Sequence, residues 1–219
     1  MTAPASALVY GSLAEQAYHV LRDRLVMLDI PPGAPINEAA LAADLGIGRT
    51  PIRESLKKLE LDHLVVSYPR RGTFATQVDI KDLATISEMR QVLEPLAARR
   101  AATVARADVR AELAAKARQI GSMGDEPQDK RPLMEYDLDV HRLIYRAAEN
   151  PHLEETLVRL DNLATRIWCL VLERLPSVSE HIREHVALLE AIVDRDADRA
   201  AALAEAHVGH FEEAVRAVL

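Results

Sequence analysis

Helix breakers are distributed very unevenly along this chain, and that limits what it can fold into. Up to Gly72 they cluster as Pro31-Pro32-Gly33, Pro35, Gly46, Gly48, Pro51, Pro69 and Gly72. Beyond it they thin to Pro95, Gly121, Gly124, Pro127, Pro132, Pro151, Pro176 and Gly209. A proline inside a helix costs about 3 kcal/mol and a glycine about 1 kcal/mol relative to alanine, so long helices are possible only in the second part. That part is rich in alanine, which loses no side-chain entropy in a helix. The pattern predicts a mainly α protein with short elements over residues 8–78, an all-helical antiparallel bundle over 79–219, and a boundary near Val78 to Lys81. No internal repeat is evident.

In the first part, Ala17, Val20, Leu21, Leu25 and Leu28 recur at helical spacing over Ala14 to Leu28. The Pro31-Pro32-Gly33 turn stops that helix. Asn37 is expected to cap a short helix that ends at Gly46. Thr50 is expected to cap the next, with Pro51 at its first position. Ile52, Leu56 and Leu59 form the buried stripe of that helix, while Arg53 and Lys57 fall on another face. Two short helices joined by a glycine turn read as a helix-turn-helix. Leu64 to Tyr68 and Thr73 to Thr76, flanking Pro69-Arg70-Arg71-Gly72, read as a hairpin. The expected whole is a winged helix-turn-helix.

Taken as a total, the formal net charge of −7 argues against a nucleic-acid partner. Residues 1–78, however, hold 8 Lys/Arg and 8 Asp/Glu, so the whole acidic excess lies in 79–219. Between Arg49 and Arg71, six basic residues (Arg49, Arg53, Lys57, Lys58, Arg70, Arg71) stand against Glu54, Glu60 and Asp62, a local +3. A local patch, not the total, decides whether phosphates can dock. Arg49 and Thr50 sit where a helix presents free N–H groups to a phosphate. Arg53, one turn in, can reach a base edge; Lys57, Arg70 and Arg71 suit the DNA backbone or the minor groove. Spacing alone leaves a plain structural helix pair as the alternative, and the basic wing tip favours double-stranded DNA. No apolar run approaches the roughly 18–20 residues that span a bilayer. Met1 to Tyr10 has no basic region before an apolar run, and the single Cys169 excludes a disulfide framework and a multi-cysteine zinc site. A cytoplasmic protein with no membrane partner is expected.

About six helices can be drawn in the second part: Ile80 to Arg106 with Pro95 inside, one capped by Asp108 and running to Ile120, Lys130 to Ala148, His152 to Arg174, Ser179 to Arg195, and one from the Asp196 turn to Val218. Gly121 to Pro127 reads as a loop. Asp137 and His141 are four apart and share a helix face. His185 and His207 lie among apolar residues on two further helices. A carboxylate and three imidazoles suit a divalent transition metal: zinc first, nickel or manganese as alternatives. With eight histidines, chance pairings are common. His19, His63, His152, His181 and His210 are read as surface or satisfied core residues, with His181 the rival for the place of His185. Trp168 and Cys169 read as core packing.

Two stretches, NEAALAADLGIGRTPIRESLKKLELDHLV and YPRRGTFAT, resemble the DNA-binding domain of the GntR family of bacterial transcription regulators over roughly residues 11–78. The resemblance implies DNA contacts from Arg49, Thr50, Arg53 and Gly72; Gly48 stands where the family often has Ser or Asn. Two more, DLDVHRLIYRAAENPHL and EHVALLEAIVDRDADRAAALAEAHV, resemble the FCD effector domain of the FadR subfamily over about 79–219, as does Arg90 to Glu94 with its Arg-x-x-x-Glu element. It implies a metal site of Asp137, His141, His185 and His207. Six helices point to the VanR-like branch.

A metal held by four protein ligands keeps open positions if it is six-coordinate, and a small carboxylate effector can take them. Arg90 and Arg166 are the expected effector-binding partners, because arginine grips carboxylates in a bidentate fork; as alternatives they are surface ion pairs. Other members of the family respond to sugar acids, lactate or dicarboxylates. The expected function is therefore a homodimeric repressor that binds a near-palindromic operator. The alternatives are a regulator for which the ion itself is the signal and, from another class, a helical metal-dependent hydrolase. No HExxH, phosphate-loop or nucleophile motif supports the hydrolase.

Overall fold

A computed structural model describes residues 11–123 and 129–219. They divide into two compact units that meet between Val78 and Asp79. The first holds α1 (Leu13–Val26), α2 (Glu38–Leu45), α3 (Arg49–Leu61) and the antiparallel pair β1 (Val65–Tyr68) and β2 (Gly72–Ala75). The second holds α4 (Leu83–Val104), α5 (Ala107–Gly121), α6 (Lys130–Ala147), α7 (Pro151–Val171), α8 (Ser179–Val193) and α9 (Ala197–Arg216), with 3-10 turns at Ile80–Asp82 and Leu172–Arg174.

Local chemistry accounts for most of the boundaries in the first unit. Ser12 caps α1 by accepting from the Glu15 N–H, and α1 buries Ala17, Tyr18, Leu21 and Leu25. Asn37 caps α2 through the Ala40 N–H, and Gly46 closes it in the left-handed region at φ 65°. Helix α3 starts earlier than the sequence suggests. Its cap position is Gly48, in extended conformation and without a side-chain bond, so Thr50 is its second residue and not its cap. The first four N–H groups of any helix lack internal partners, so Pro51 fits the third position as well as the first. Ile52, Leu56 and Leu59 turn inward, leaving Arg49, Thr50, Arg53 and Lys57 exposed.

The proline-rich turn does more than end α1. Gly33 and Ile36 donate backbone hydrogen bonds to the Ala75 and Thr73 carbonyls, and Ala75 donates to Ala34. The stiff segment covers the open edge of β2, which a two-stranded ribbon needs for stability. At the wing tip the Arg71 N–H closes a turn onto the Tyr68 carbonyl. Arg70 takes the third turn position at φ 62°, where glycine or asparagine is usual.

In the second unit α4 lies along α9. Ala97, Ala98, Ala101 and Ala102 on one and Ala200, Ala201 and Ala204 on the other are buried, so alanine serves close helix approach as well as helix propensity. Helix α4 runs unbroken through Pro95. Helix α5 is preceded by Arg106 and carries Asp108 in its first turn, so Asp108 is not the cap; a carboxylate there still favours the positive helix end. Most of the expected 121–127 loop lies outside the described residues. Cations from other helices reach three helix C-termini. Arg100 donates to the Ala148 carbonyl at 3.1 Å, Lys130 to Leu175 at 2.8 Å and Arg110 to Ile192 at 2.8 Å. Each satisfies carbonyls that a helix end leaves orphaned and opposes the helix dipole.

Candidate metal centre and nucleic-acid interface

Helices α6, α8 and α9 bring Asp137, His141, His185 and His207 together, all buried. The four residues offer ligand atoms within 4.8 Å of one another. His141 Nε2 lies 3.3 Å from both His185 Nε2 and His207 Nε2. Asp137 reaches His185 Nε2 at 3.7 Å and His141 Nε2 at 3.9 Å. Ligands about 2.0–2.1 Å from one ion in tetrahedral array stand roughly 3.3–3.4 Å apart, so the ring nitrogens have a spacing that suits a metal.

The opposite ring nitrogens give a second, independent sign. His185 Nδ1 faces the Ile182 carbonyl at 3.2 Å, and His207 Nδ1 the Glu184 carboxylate at 2.9 Å. His141 Nδ1 faces the Tyr145 hydroxyl at 3.1 Å and Glu94 at 3.5 Å. An acceptor on Nδ1 holds the proton there and directs the Nε2 lone pair at the shared point, as outer partners of metal-binding histidines do. Asp137 Oδ1 is buried with no hydrogen-bond partner. A buried carboxylate oxygen left unsatisfied is costly, and a cation would satisfy it. The donor set therefore fits a divalent transition metal.

His181 is also buried, but it stacks on the His207 ring at 4.0 Å and packs at a tilt against Trp168 at 4.7 Å. Its Nε2 is 3.9 Å from Asp137 Oδ1. Of the two α8 histidines, His185 points its ring nitrogen at His141. Arg90 is buried and bonded to Glu94 at 2.6 Å and Asp161 at 3.4 Å, so its fork already grips protein carboxylates. Arg166 is buried on α7, and burial lowers its pKa to about 10. Sequence reasoning missed Glu184, Tyr145 and Asp161 as surroundings of the site. Tyr145 was within reach, four residues from His141 on one face; the others meet it only through tertiary packing.

Protonation states matter for loading. Burial pushes Asp137 up to about 7. Burial alone would lower His141, but Asp161, Glu94 and Asp137 together raise it to about 9. Burial, then the charge on His141, lowers His185 to about 3. At neutral pH an entering cation must displace the His141 proton and part of the Asp137 proton, while His185 is already neutral. Metal affinity is therefore expected to rise with pH through 7 to 9, by up to about tenfold per unit for each proton released. Competition with a chromophoric chelator at pH 6.5 and 8.5 measures it; equal affinities would show that no proton leaves.

The exposed side of the first unit gathers the other set. Arg49, Thr50, Arg53 and Lys57 lie along α3, and Arg70, Arg71 and Gly72 at the wing tip, all exposed. Gly72 has φ 93°, which a side chain would strain. Glu38, on the first turn of α2, accepts from Arg53 Nε at 2.7 Å and Arg49 Nη2 at 3.4 Å. The sequence reading did not foresee this pair, since no local spacing links residues across the turn.

Comparison with known proteins gives consistent matches to both units. Residues 13–75 match the family described as bacterial regulatory proteins, gntR family, and residues 85–210 match the FCD domain. The chain is 24% identical over 204 residues to the HTH-type transcriptional repressor RspR of Escherichia coli (strain K12), covering 93% of this chain and 89% of that protein. It is 31% identical over 156 residues to a probable D-xylose utilization operon transcriptional repressor of Paenarthrobacter nicotinovorans, covering 70% and 67%. Among solved structures, E. coli McbR/YncC superposes with a TM-score of 0.81 at 22% identity, covering 95% of this chain and 99% of that one.

Proposed function

The chain belongs to the gntR family of bacterial regulatory proteins and carries an FCD domain, which makes it a DNA-binding transcription regulator and not an enzyme; we propose that it is a homodimeric repressor whose grip on a near-palindromic operator is set by a small carboxylate bound at a metal centre. The observation that carries the reading is the convergence of three Nε2 atoms and an unsatisfied Asp137 oxygen on one point. Asp137, His141, His185 and His207 would hold the ion, with zinc the first choice and nickel or manganese the alternatives. When bound, the metal supplies a Lewis-acidic position for a carboxylate oxygen. Glu94, Tyr145, Glu184 and the Ile182 carbonyl hold the histidines in register.

Arg166 and Arg90 are the proposed anchors for the rest of the acid. Arg90 reaches such a ligand only by sharing its fork with Glu94 and Asp161, so effector binding would perturb the ion pairs that orient His141. That gives the ligand unequal affinity for two arrangements of the bundle, the condition for any regulation. Six α-helices among the described residues of the second unit support the VanR-like branch. At the DNA, Arg53 is the proposed base reader. Arg49, Thr50 and Lys57 on α3, with Arg70, Arg71 and Gly72 of the wing, hold the backbone or the minor groove. Two-fold symmetry would present two α3 helices to two half-sites. Among the described residues no helix is long and apolar enough to cross a membrane.

The test is a thermal-shift screen of sugar acids, lactate and dicarboxylates on the zinc-loaded chain, with and without EDTA. An acid present at about 100 times its Kd should add about 2.7 kcal/mol of stability, and EDTA should cancel the shift. An acid that stabilises equally in EDTA would place the effector away from the metal. Zinc alone switching operator affinity would make the ion the signal.

A further inference from the structure

We infer that Glu38 determines how sharply the chain tells its operator from other DNA, by holding the two arginines at the start of α3. This rests on the reading of α3 as the recognition helix. Glu38 occupies the first position of α2, next to its cap Asn37, where the helix dipole favours a carboxylate. Its Oε2 takes Arg53 Nε at 2.7 Å and Arg49 Nη2 at 3.4 Å, while both arginine side chains remain 59% exposed. The bond from Arg53, chiefly, holds the Glu38 carboxyl below its ordinary pKa, so it stays ionised at neutral pH.

Two consequences follow from this geometry. First, Arg53 spends its Nε donor on Glu38, which leaves its two terminal nitrogens as the pair that matches O6 and N7 of guanine. A long side chain otherwise free to rotate is set before DNA arrives, so less entropy is lost on reading a base. Second, one carboxylate offsets one of two positive charges where α3 would meet phosphates. Non-specific binding depends on charge and not on orientation, so the carboxylate weakens it while helping the specific contact. Glu38 thus widens the gap between the two from both ends. It is a positioning residue, because it acts through Arg53 and Arg49.

The test compares wild type, Glu38→Gln and Arg53→Ala as full-length chains. Each is titrated across several salt concentrations against the duplex that the wild type selects from a random library and against poly(dI-dC). Glu38→Gln is expected to cut the ratio of specific to non-specific affinity roughly tenfold or more. Non-specific binding should be unchanged or tighter, and its log–log salt slope should steepen by about 0.9 per freed contact. A parallel weakening on both duplexes with an unchanged ratio would reduce Glu38 to a helix-end residue and overturn the proposal. So would a wild-type ratio and slope in Glu38→Gln while Arg53→Ala loses discrimination. If Arg53→Ala itself keeps the wild-type ratio, the recognition-helix reading fails and Glu38 falls with it.

Discussion

Arg53→Ala is expected to lower affinity for the selected operator by roughly 30-fold to 20,000-fold while the chain stays folded. A good bidentate arginine–guanine contact is worth about 1–3 kcal/mol of discrimination, and a two-fold dimer loses it at both half-sites. The fold should not notice. Arg53 is exposed, and its helix is anchored through Ile52, Leu56 and Leu59 on the opposite face. The ion pair it makes with Glu38 is a surface pair, the kind that contributes little to stability. A gel-shift titration at matched salt measures the loss, with the melting temperature as control. An unchanged titration would remove Arg53 from the interface.

The larger effect is expected in the second unit. His185→Ala combined with His207→Ala removes two of three convergent imidazoles and should abolish tight metal binding. It should also abolish stabilisation by metal. In the wild type, zinc at about 100 times its Kd is expected to add about 2.7 kcal/mol to the folded state, and more at higher excess. The double variant should melt at the same temperature with zinc and with EDTA. Its own baseline will fall, because both rings are buried and Glu184 loses its partner on His207. The diagnostic quantity is therefore the zinc-dependent difference, which a packing defect alone would leave in place. Single variants, each keeping two imidazoles and Asp137, should show a partial response.

What the sequence made legible follows from the range of the forces involved. Breakers, caps and helical stripes act within one or two turns, so Asn37, Gly46 and the Ile52–Leu56–Leu59 face could be read directly. The cap of α3 could not, because Pro51 is tolerated at any of the first positions of a helix and Gly48 leaves no side-chain signature. The proline-rich turn announced only a stop; its pairing with β2 joins residues some forty apart, beyond any local pattern. The same limit applies to the site. Asp137 and His141 share a face through their spacing, but His181 and His185 share one equally well. Only packing decides between them, stacking His181 on His207 beside Trp168 and turning His185 towards His141. Arg90 was visible as an arginine on a bundle helix, but its partners Glu94 and Asp161 redefine what it can do. Glu38 was hidden for the same reason.

Charge follows the division of labour. The acidic excess of 79–219 belongs to the helical unit, and the balanced first unit keeps its positive groups on α3 and the wing. Operator affinity should therefore depend on placed arginines, and on pairing in the proposed dimer, more than on bulk attraction.

The central claim is that one ion sits among Asp137, His141, His185 and His207. Elemental analysis after loading with zinc and removal of the excess tests it most directly. About one zinc per chain in the wild type and next to none in His185→Ala/His207→Ala is the predicted result. Equal zinc in both proteins would place the metal elsewhere and contradict the claim.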